Sequence, residues 1–162
     1  MAVDYFLKIE GVEGESKDSV HQKEIELEDW SWGETQTGRA AEGAGGAVGT
    51  VTPASFSFRK RVDMSGTKLN QLCAAGKYVN NAYFTARRAG AADGKPVDYL
   101  KIHFKGVLID SYSTTGSGGD SPPLESISFK FEQMQMEYRE VKDGMPGGPV
   151  PAGFNFKQNK KV

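Results

Sequence analysis

With 162 residues, the chain has the length of one ordinary domain that buries its own hydrophobic core, and we expect a single domain over residues 1–162. A net charge of −1 gives it no general attraction for nucleic acid or for an anionic membrane. Its single cysteine, Cys73, excludes an internal disulfide and is typical of a protein that folds in a reducing cytoplasm.

The N-terminal sequence predicts a chain that starts in the cytoplasm without a cleaved signal peptide. Residues 1–8 alternate polar and apolar side chains and carry charge early, whereas a signal peptide has a basic start and an uninterrupted apolar stretch. No apolar run approaches the roughly 18 residues that a membrane span needs, so we expect no direct membrane insertion.

In the first half of the chain, alternation of polar and apolar residues predicts strands over residues 3–9 and 54–62. Between them, the glycine-rich residues 37–49 have little to bury and predict a long exposed loop.

A further strand is predicted between these two, over residues 24–32, and the apolar pattern changes register inside it. Ile25 and Leu27 share one face, but the next apolar residues, Trp30 and Trp32, have the opposite parity. Such a shift predicts a bulge near Asp29 or a strand whose two halves bury opposite faces.

A change from alternating to helical spacing predicts one short helix between Ser65 and Gly76. Ser65 or Thr67 is expected to cap its start, and Gly76 suits a left-handed stop.

The second half of the chain predicts strands again. Residues 78–88 and 97–110 are expected to form a hairpin, and residues 114–123 a loop rich in serine, glycine and proline. A second shift of apolar parity after Phe131 indicates another bulge or a strand that serves two cores. A proline- and glycine-rich linker then precedes a last short strand at residues 154–156.

Seven or eight strands and one helix predict a mainly β fold. We expect a small closed β-barrel, built as two packed antiparallel sheets, with one short flanking α-helix and a long extended loop. The predicted core contains five aromatic side chains, those of Trp30, Trp32, Phe56, Phe58 and Phe129.

The sequence offers no set of residues that predicts a catalytic, cofactor or metal site. His21 and His103 are the only histidines, and neither has a second histidine or a cysteine at the spacing of zinc ligands. The glycine-rich residues 43–49 and 116–119 lack the spacing of a phosphate-binding loop and of a nucleophile elbow. We therefore expect a protein that is not an enzyme and needs no cofactor.

Several polar or reactive residues have an ordinary interpretation. His103, on the polar face of its strand, is expected to be solvated, and Cys73 to be a buried, inert thiol. The basic run at residues 59–61 is interpreted as surface or interface charge, because neighbouring strand residues point to opposite faces.

A row of like charges exceeds what a plain monomer needs. Glu24, Glu26 and Glu28 alternate along one strand face and would repel one another unless basic groups oppose them. Arg59 and Arg61 have the matching spacing on another strand. The pattern leaves two interpretations open, a solvated face and a contact between subunits.

Six stretches, in order along the whole chain, resemble the Hcp (hemolysin co-regulated protein) family of tube proteins from type VI secretion. The most specific is the WSWG segment at residues 30–33, which a glycine-rich loop follows as in the family. The others are MAVDYFLKI at 1–9, GESKD at 14–18, FRKRVD at 58–63, STTGSGG at 113–119 and GFNFKQN at 153–159. His21 falls at the family's usual place after the second of these.

The resemblance implies a β-barrel subunit that assembles into a homohexameric ring with a wide opening. Such rings stack into an inner tube, with sheath subunits around it and a spike protein at its tip. Sheath contraction expels the tube, so the subunit passes from the bacterial cytoplasm to the outside through the apparatus. Some members also bind and protect small effector proteins inside the ring.

The resemblance also assigns individual residues. Ser31 points away from the face of the two tryptophans and is expected to face the lumen, where it would contact cargo. Residues 37–49 correspond to the extended loop that reaches toward the next ring, so Arg39 and Glu42 are expected at a ring–ring contact.

Other interpretations stay open from the residues alone. A ring that acts mainly as an effector chaperone is one, and a monomeric β-barrel that binds a ligand in an apolar cavity is another. A phage-tail-tube-like protein is the nearest structural alternative.

Overall fold

A computed structural model describes residues 3–38, 49–88 and 95–162 of the chain. Short turns and glycines separate the alternating segments, and the described residues form twelve strands and one helix. The strands are β1 Val3–Ile9, β2 Ile25–Leu27, β3 Asp29–Ser31, β4 Glu34–Gln36, β5 Val51–Pro53, β6 Phe56–Arg61, β7 Tyr78–Arg88, β8 Val97–Thr115, β9 Leu124–Lys130, β10 Gln133–Lys142, β11 Met145–Asn155 and β12 Lys160–Lys161, and the helix is α1 Ser65–Ala75.

The antiparallel strand pairs form an almost closed circuit. From β1 the pairs run through β7, β8, β9 and β6 to β3, while the other edge of β1 pairs with β2. Only Glu28 separates β2 from β3, and its N–H donates to the carbonyl of Arg59 at 2.8 Å. The fold is therefore mainly β, as predicted, although the wall is not one unbroken ladder because Glu28 lies outside both strands.

The long strand β8 joins two parts of the sheet. Its first half pairs with β7 and β10, and its second half pairs with β9, with a register shift between Ile109 and Ser111. Strands β10, β11 and β12 extend the sheet beyond β8. Strands β4 and β5 form a separate two-stranded sheet.

Phenylalanine side chains fill the interior. Phe56 is fully buried, and its ring centroid lies 5.1 Å from those of Phe104 and Phe129 and 5.4 Å from that of Phe84. Phe58 and Phe129 are also buried, whereas Trp30 and Trp32 are half-buried and pack against this core. The two tryptophans thus border the core instead of lying inside it.

The expected strand at residues 3–9, the helix and the hairpin of β7 and β8 are confirmed. The first shift of apolar parity falls at the break between β2 and β3. The second falls at a corner, because β9 ends at Lys130 and β10 begins at Gln133. Two separate strands, not one bulged strand, explain that second shift.

Three local predictions were wrong. The proline- and glycine-rich linker is part of β11. Strand β11 tolerates its prolines because most of it is an edge strand, paired only with β10. Strand β8 continues to Thr115, into the segment expected to be a loop. Neither Ser65 nor Thr67 caps α1; instead Asp63 Oδ1 accepts the N–H of Ser65 at 2.9 Å, while Gly76 ends the helix at φ +61° as predicted.

In the described parts of the chain, no helix is long and apolar enough to cross a membrane. Most of the expected loop at residues 37–49, including Arg39 and Glu42, lies outside the described residues.

Candidate assembly and cargo surface

Ser31 belongs to a row of four serines that crosses four neighbouring strands. It lies exposed on β3 opposite Ser57 of β6, which lies opposite Ser128 of β9, which in turn lies opposite Ser111 of β8. Because directly opposed residues of neighbouring strands share one sheet face, the four hydroxyls stand side by side. We call these four residues the serine row.

Strand alternation places the serine row on the outside of the sheet. Ser57 stands between Phe56 and Phe58, both buried, so its own side chain points away from the core. Hydrogen bonds hold one end of the row, since the Oγ atoms of Ser111 and Ser128 lie 2.7 Å apart and Ser128 Oγ donates to Asp110. The result is an ordered surface of short polar side chains.

The next row of the same face contains a charge pair and two more serines. Asp29 lies opposite Arg59, which lies opposite Ser126, which lies opposite Ser113. Arg59 Nε donates to Asp29 Oδ2 at 2.8 Å. Arg61 Nε, two residues further along β6, donates to Glu28 Oε1 at 2.8 Å, so both arginines pair within the chain. The charges of these two ion pairs therefore cancel.

The acidic row is shorter than expected. Glu26 and Glu28 are exposed, but Glu24 precedes β2, is buried and contacts Nδ1 of His21. Burial raises the pKa of the Glu24 carboxyl above its usual value, against the attraction of His21. Glu24 is therefore buried within its own chain and does not belong to the exposed row with Glu26 and Glu28 that the sequence predicted.

His21 fastens the loop before β2 to the outer face of the sheet. Its ring stacks on Phe6 at 4.4 Å between centroids, and its Nε2 lies 3.2 Å from the Asp98 carboxylate. Beside it, Arg87 Nη1 donates to Asp18 Oδ2 at 2.6 Å. This hydrogen bond lowers the pKa of Asp18 to about 2.

A fully buried lysine lies inside the fold, on strand β6. Lys60 Nζ donates to Glu125 Oε1 and to Asp63 Oδ1, both at 2.6 Å, and to the carbonyl of Arg61 at 3.2 Å. The hydroxyl of Tyr112 donates to the other oxygen of Glu125, which raises the pKa of the phenol to about 12. We call Lys60, Asp63, Tyr112 and Glu125 the buried ionic network.

The interpretation of residues 59–61 as surface charge holds for the two arginines but was wrong for Lys60. Lys60 lies at the same strand parity as Phe56 and Phe58. This alternation is the sequence signal that could have shown that Lys60 is buried. A Cβ at Gly66 would lie 2.3 Å from Glu125 Oε2, so the first turn of α1 packs directly on the buried ionic network.

The other histidine and the cysteine also differ from expectation. His103 is half-buried, its Nε2 lies 2.9 Å from Asn81 Oδ1, and its ring stacks on Tyr83 at 4.3 Å. Burial and the charge of Lys105 lower its pKa. Cys73 is a free thiol and only half-buried. Within residues 3–38, 49–88 and 95–162, no group of three or more histidine, cysteine or acidic side chains is placed to hold a metal ion.

Of the six serines on this face, only Ser31 was predicted from the sequence to be a contact residue. Their signal was a serine at every second position in β8 and β9, where Ser111 and Ser113 match Ser126 and Ser128. Alternation could have identified them as outward-facing, but only the strand register brings them together with Ser31 and Ser57.

Comparison with known proteins agrees over the whole chain. A family model described as "Type VI secretion system effector, Hcp" matches residues 6–138. The chain is 44% identical over 161 residues to Protein hcp1 of Pseudomonas aeruginosa, with 98% of each chain covered. Among solved structures it is similar to Hcp1 from Salmonella typhimurium, at 32% identity, a TM-score of 0.80 and full coverage of both chains. It is also similar to a type VI secretion system effector from Yersinia pestis, at 30% identity, a TM-score of 0.76, and 94% and 99% coverage of the two chains.

Proposed function

The chain belongs to the Hcp family of the type VI secretion system, and we propose that it is the structural subunit of the inner tube of that machine. Copies assemble head to tail into a hexameric ring, and the rings stack into a tube. A ring of this kind needs contacts between two different surfaces of the subunit that close on themselves.

The serine row is the observation that supports this proposal most directly. The family resemblance assigns Ser31 to the lumen, and the strand register joins Ser31 to three more serines on one face. Hydroxyl groups both donate and accept hydrogen bonds, so this face suits contact with the polar surface of a folded protein. Asp29 and Arg59 are paired to each other on this face, and Asp110 at its end accepts hydrogen bonds from Ser55 and Ser128.

The proposed partners are other copies of the chain, the sheath subunits and spike protein of the apparatus, and small effector proteins in the lumen. The subunit is made in the bacterial cytoplasm and leaves with the tube when the sheath contracts. Arg39 and Glu42, in the extended loop of the family, remain proposed for the contact between rings.

The proposed role is structural and not enzymatic. Both imidazoles are committed to packing and hydrogen bonds, His21 with Glu24 and Asp98, and His103 with Asn81. Aromatic side chains fill the interior, where a ligand-binding barrel would have a cavity.

Electron microscopy of the purified chain in negative stain, with its solution mass measured in parallel, tests the proposal. We expect six-fold rings with an open centre and the mass of six subunits. A monomer at every concentration would contradict the tube-subunit role and would make a ligand-binding barrel the working hypothesis. Rings of another order would keep the tube design but exclude the hexamer.

A further inference from the structure

Strand β11 presents a long free edge. Residues 145–152 are all exposed, and one side of this stretch pairs with β10. On the other side, β12 is the only strand among the described residues that pairs with β11, and it does so at Phe154 and Asn155. A free edge of this length is a template on which another strand can pair. We call the outer side of residues 145–152 the β11 edge.

The hydrogen bond at Gly153 shows which residues of β11 direct their main chain toward this edge. The carbonyl of Gly153 accepts from the N–H of Val162 at 3.3 Å, on the side away from β10. In an antiparallel strand the N–H and the C=O of one residue point the same way, and the direction alternates along the strand. The register with β10 is unbroken from Asn155 to Pro149, so residues 149 and 151 face the same side as Gly153.

Both of these outward positions are proline. Proline has no N–H, so Pro149 and Pro151 offer carbonyl groups at the β11 edge but no hydrogen-bond donors. Val150 and Ala152 do have N–H groups, but by the same alternation these point to β10. A second strand placed at this stretch of the edge would leave its own carbonyl groups without partners, which is unfavourable once they are removed from water.

Strand β12 protects the next part of the edge by a different means. Lys160 and Lys161 pair with Asn155 and Phe154, and both lysines are exposed. Lysine on an edge strand discourages further pairing, because a second strand of the same sequence would bring like charges together. The outer side of β11 is therefore covered where β12 reaches it and lacks donors where β12 does not.

We propose that Pro149 and Pro151 close the β11 edge to strand pairing, so that two copies of this chain cannot join there through a main-chain ladder. Copies can then meet only through side-chain surfaces, and an exposed strand edge does not join them into β-aggregates. The inference goes beyond the proposed tube role and does not depend on it, because it concerns the edge of the single folded chain.

Restoring the two donors tests the inference. Pro149→Thr/Pro151→Thr returns an N–H to both outward positions, with a polar side chain that favours strands. We expect copies to join as the concentration rises, measured as a solution mass above that of the wild type and as thioflavin T fluorescence. Hydrogen–deuterium exchange of the two restored amides should slow roughly tenfold in the concentrated sample, because a ladder protects them. Pro151→Thr alone restores one donor and should show the same effects more weakly.

A matched control places the same residue type where no donor is gained. Val150→Thr/Ala152→Thr adds two threonines to the same strand, at positions whose N–H groups already point to β10. Both positions are exposed, so the change leaves the core intact. The control should keep the solution mass and the thioflavin T signal of the wild type. The urea midpoint of each variant shows that it is folded.

Two results would overturn the inference. One is a folded variant with restored donors that keeps the wild-type mass at every concentration, with the restored amides exchanging as fast as solvent-exposed groups. The other is equal joining by the Val150→Thr/Ala152→Thr control, which would assign the effect to the side chains. Electron microscopy scores ring formation separately: a wild type without rings would overturn the proposed function and leave the closed edge standing.

Discussion

The two faces of strand β6 differ in burial and in the residues that they carry. Phe56, Phe58 and Lys60 point inward and are buried. Ser57, between them, points outward with the arginines at 59 and 61 and joins the serine row. The inner face stabilises the fold because its side chains are buried. The outer face contributes little to the core, and it is the face that we propose for contact with cargo.

The same comparison separates charges that look alike in the sequence. Lys60 and Arg59 are neighbours, yet Lys60 is fully buried with three acceptors, whereas the Arg59 side chain is 56% exposed with one partner. A buried charge that loses its partner is costly, but an exposed pair contributes at most about 1 kcal/mol. The position relative to the core, not the charge itself, decides how much each residue matters for stability.

The largest effect is expected at the centre of the inner face. Phe56→Ala should lower the free energy of unfolding by about 4 kcal/mol, because it leaves a cavity among four other phenylalanines. Urea denaturation followed by tryptophan fluorescence measures it. A loss below about 1 kcal/mol would mean that the core collapses into the cavity or that Phe56 is not at its centre.

Removal of the buried charge comes next. Lys60→Met should lower the free energy of unfolding by about 3 kcal/mol, because Glu125 and Asp63 remain buried without their cation. The matched change on the outer face, Arg59→Met, should cost less than about 1 kcal/mol in the same denaturation experiment. Equal losses for the two variants would contradict the distinction between the faces.

A smaller effect is expected at Asp18, and it depends on pH. Arg87 lowers the pKa of Asp18 from 3.8 to about 2, so the pair stabilises the folded chain above the ordinary pKa and is lost as pH falls toward 2. Asp18→Asn should therefore cost about 1 kcal/mol at neutral pH, discounted for the partial exposure of this carboxylate.

Thermal unfolding of wild type and Asp18→Asn between pH 7 and pH 2 checks this prediction. The difference between the two should narrow below pH 4 and vanish near pH 2. Asp120→Asn, at an exposed loop position, serves as the control and should give the same profile as the wild type. A constant difference at every pH would show that Asp18 acts through packing instead of charge.

The smallest effect on stability is expected on the outer face. Ser57→Ala should change the free energy of unfolding by less than about 0.5 kcal/mol, because the half-buried hydroxyl faces away from the core. Chemical denaturation measures the change. A loss above about 2 kcal/mol would make the serine row part of the fold and remove the reason to assign it to cargo.

Sequence periodicity predicted the fold class well because burial imposes it. The strand at residues 3–9, the hairpin of β7 and β8 and the helix all follow from the spacing of apolar side chains. The prolines and glycines of residues 145–153 predicted a linker, but an edge strand such as β11 tolerates both residue types.

The candidate surface was only partly predictable from the sequence. Ser31 came from resemblance, while its neighbours Ser57, Ser128 and Ser111 depend on strand register, which no local pattern states. Glu24 does not lie in the expected acidic row, because its buried carboxylate contacts His21, three residues earlier. Long-range pairing of this kind is settled by tertiary structure alone.

The position of Ser57 in the assembled ring decides whether the serine row faces the lumen. A single cysteine at Ser57→Cys, in a Cys73→Ser background, is labelled with a maleimide-linked gold cluster, and the rings are viewed end-on by electron microscopy. Lys68→Cys on the exposed side of α1 is the control. We expect gold on the lumen wall for Ser57→Cys. Gold on the outer rim, or between subunits, would show that the serine row does not face the lumen.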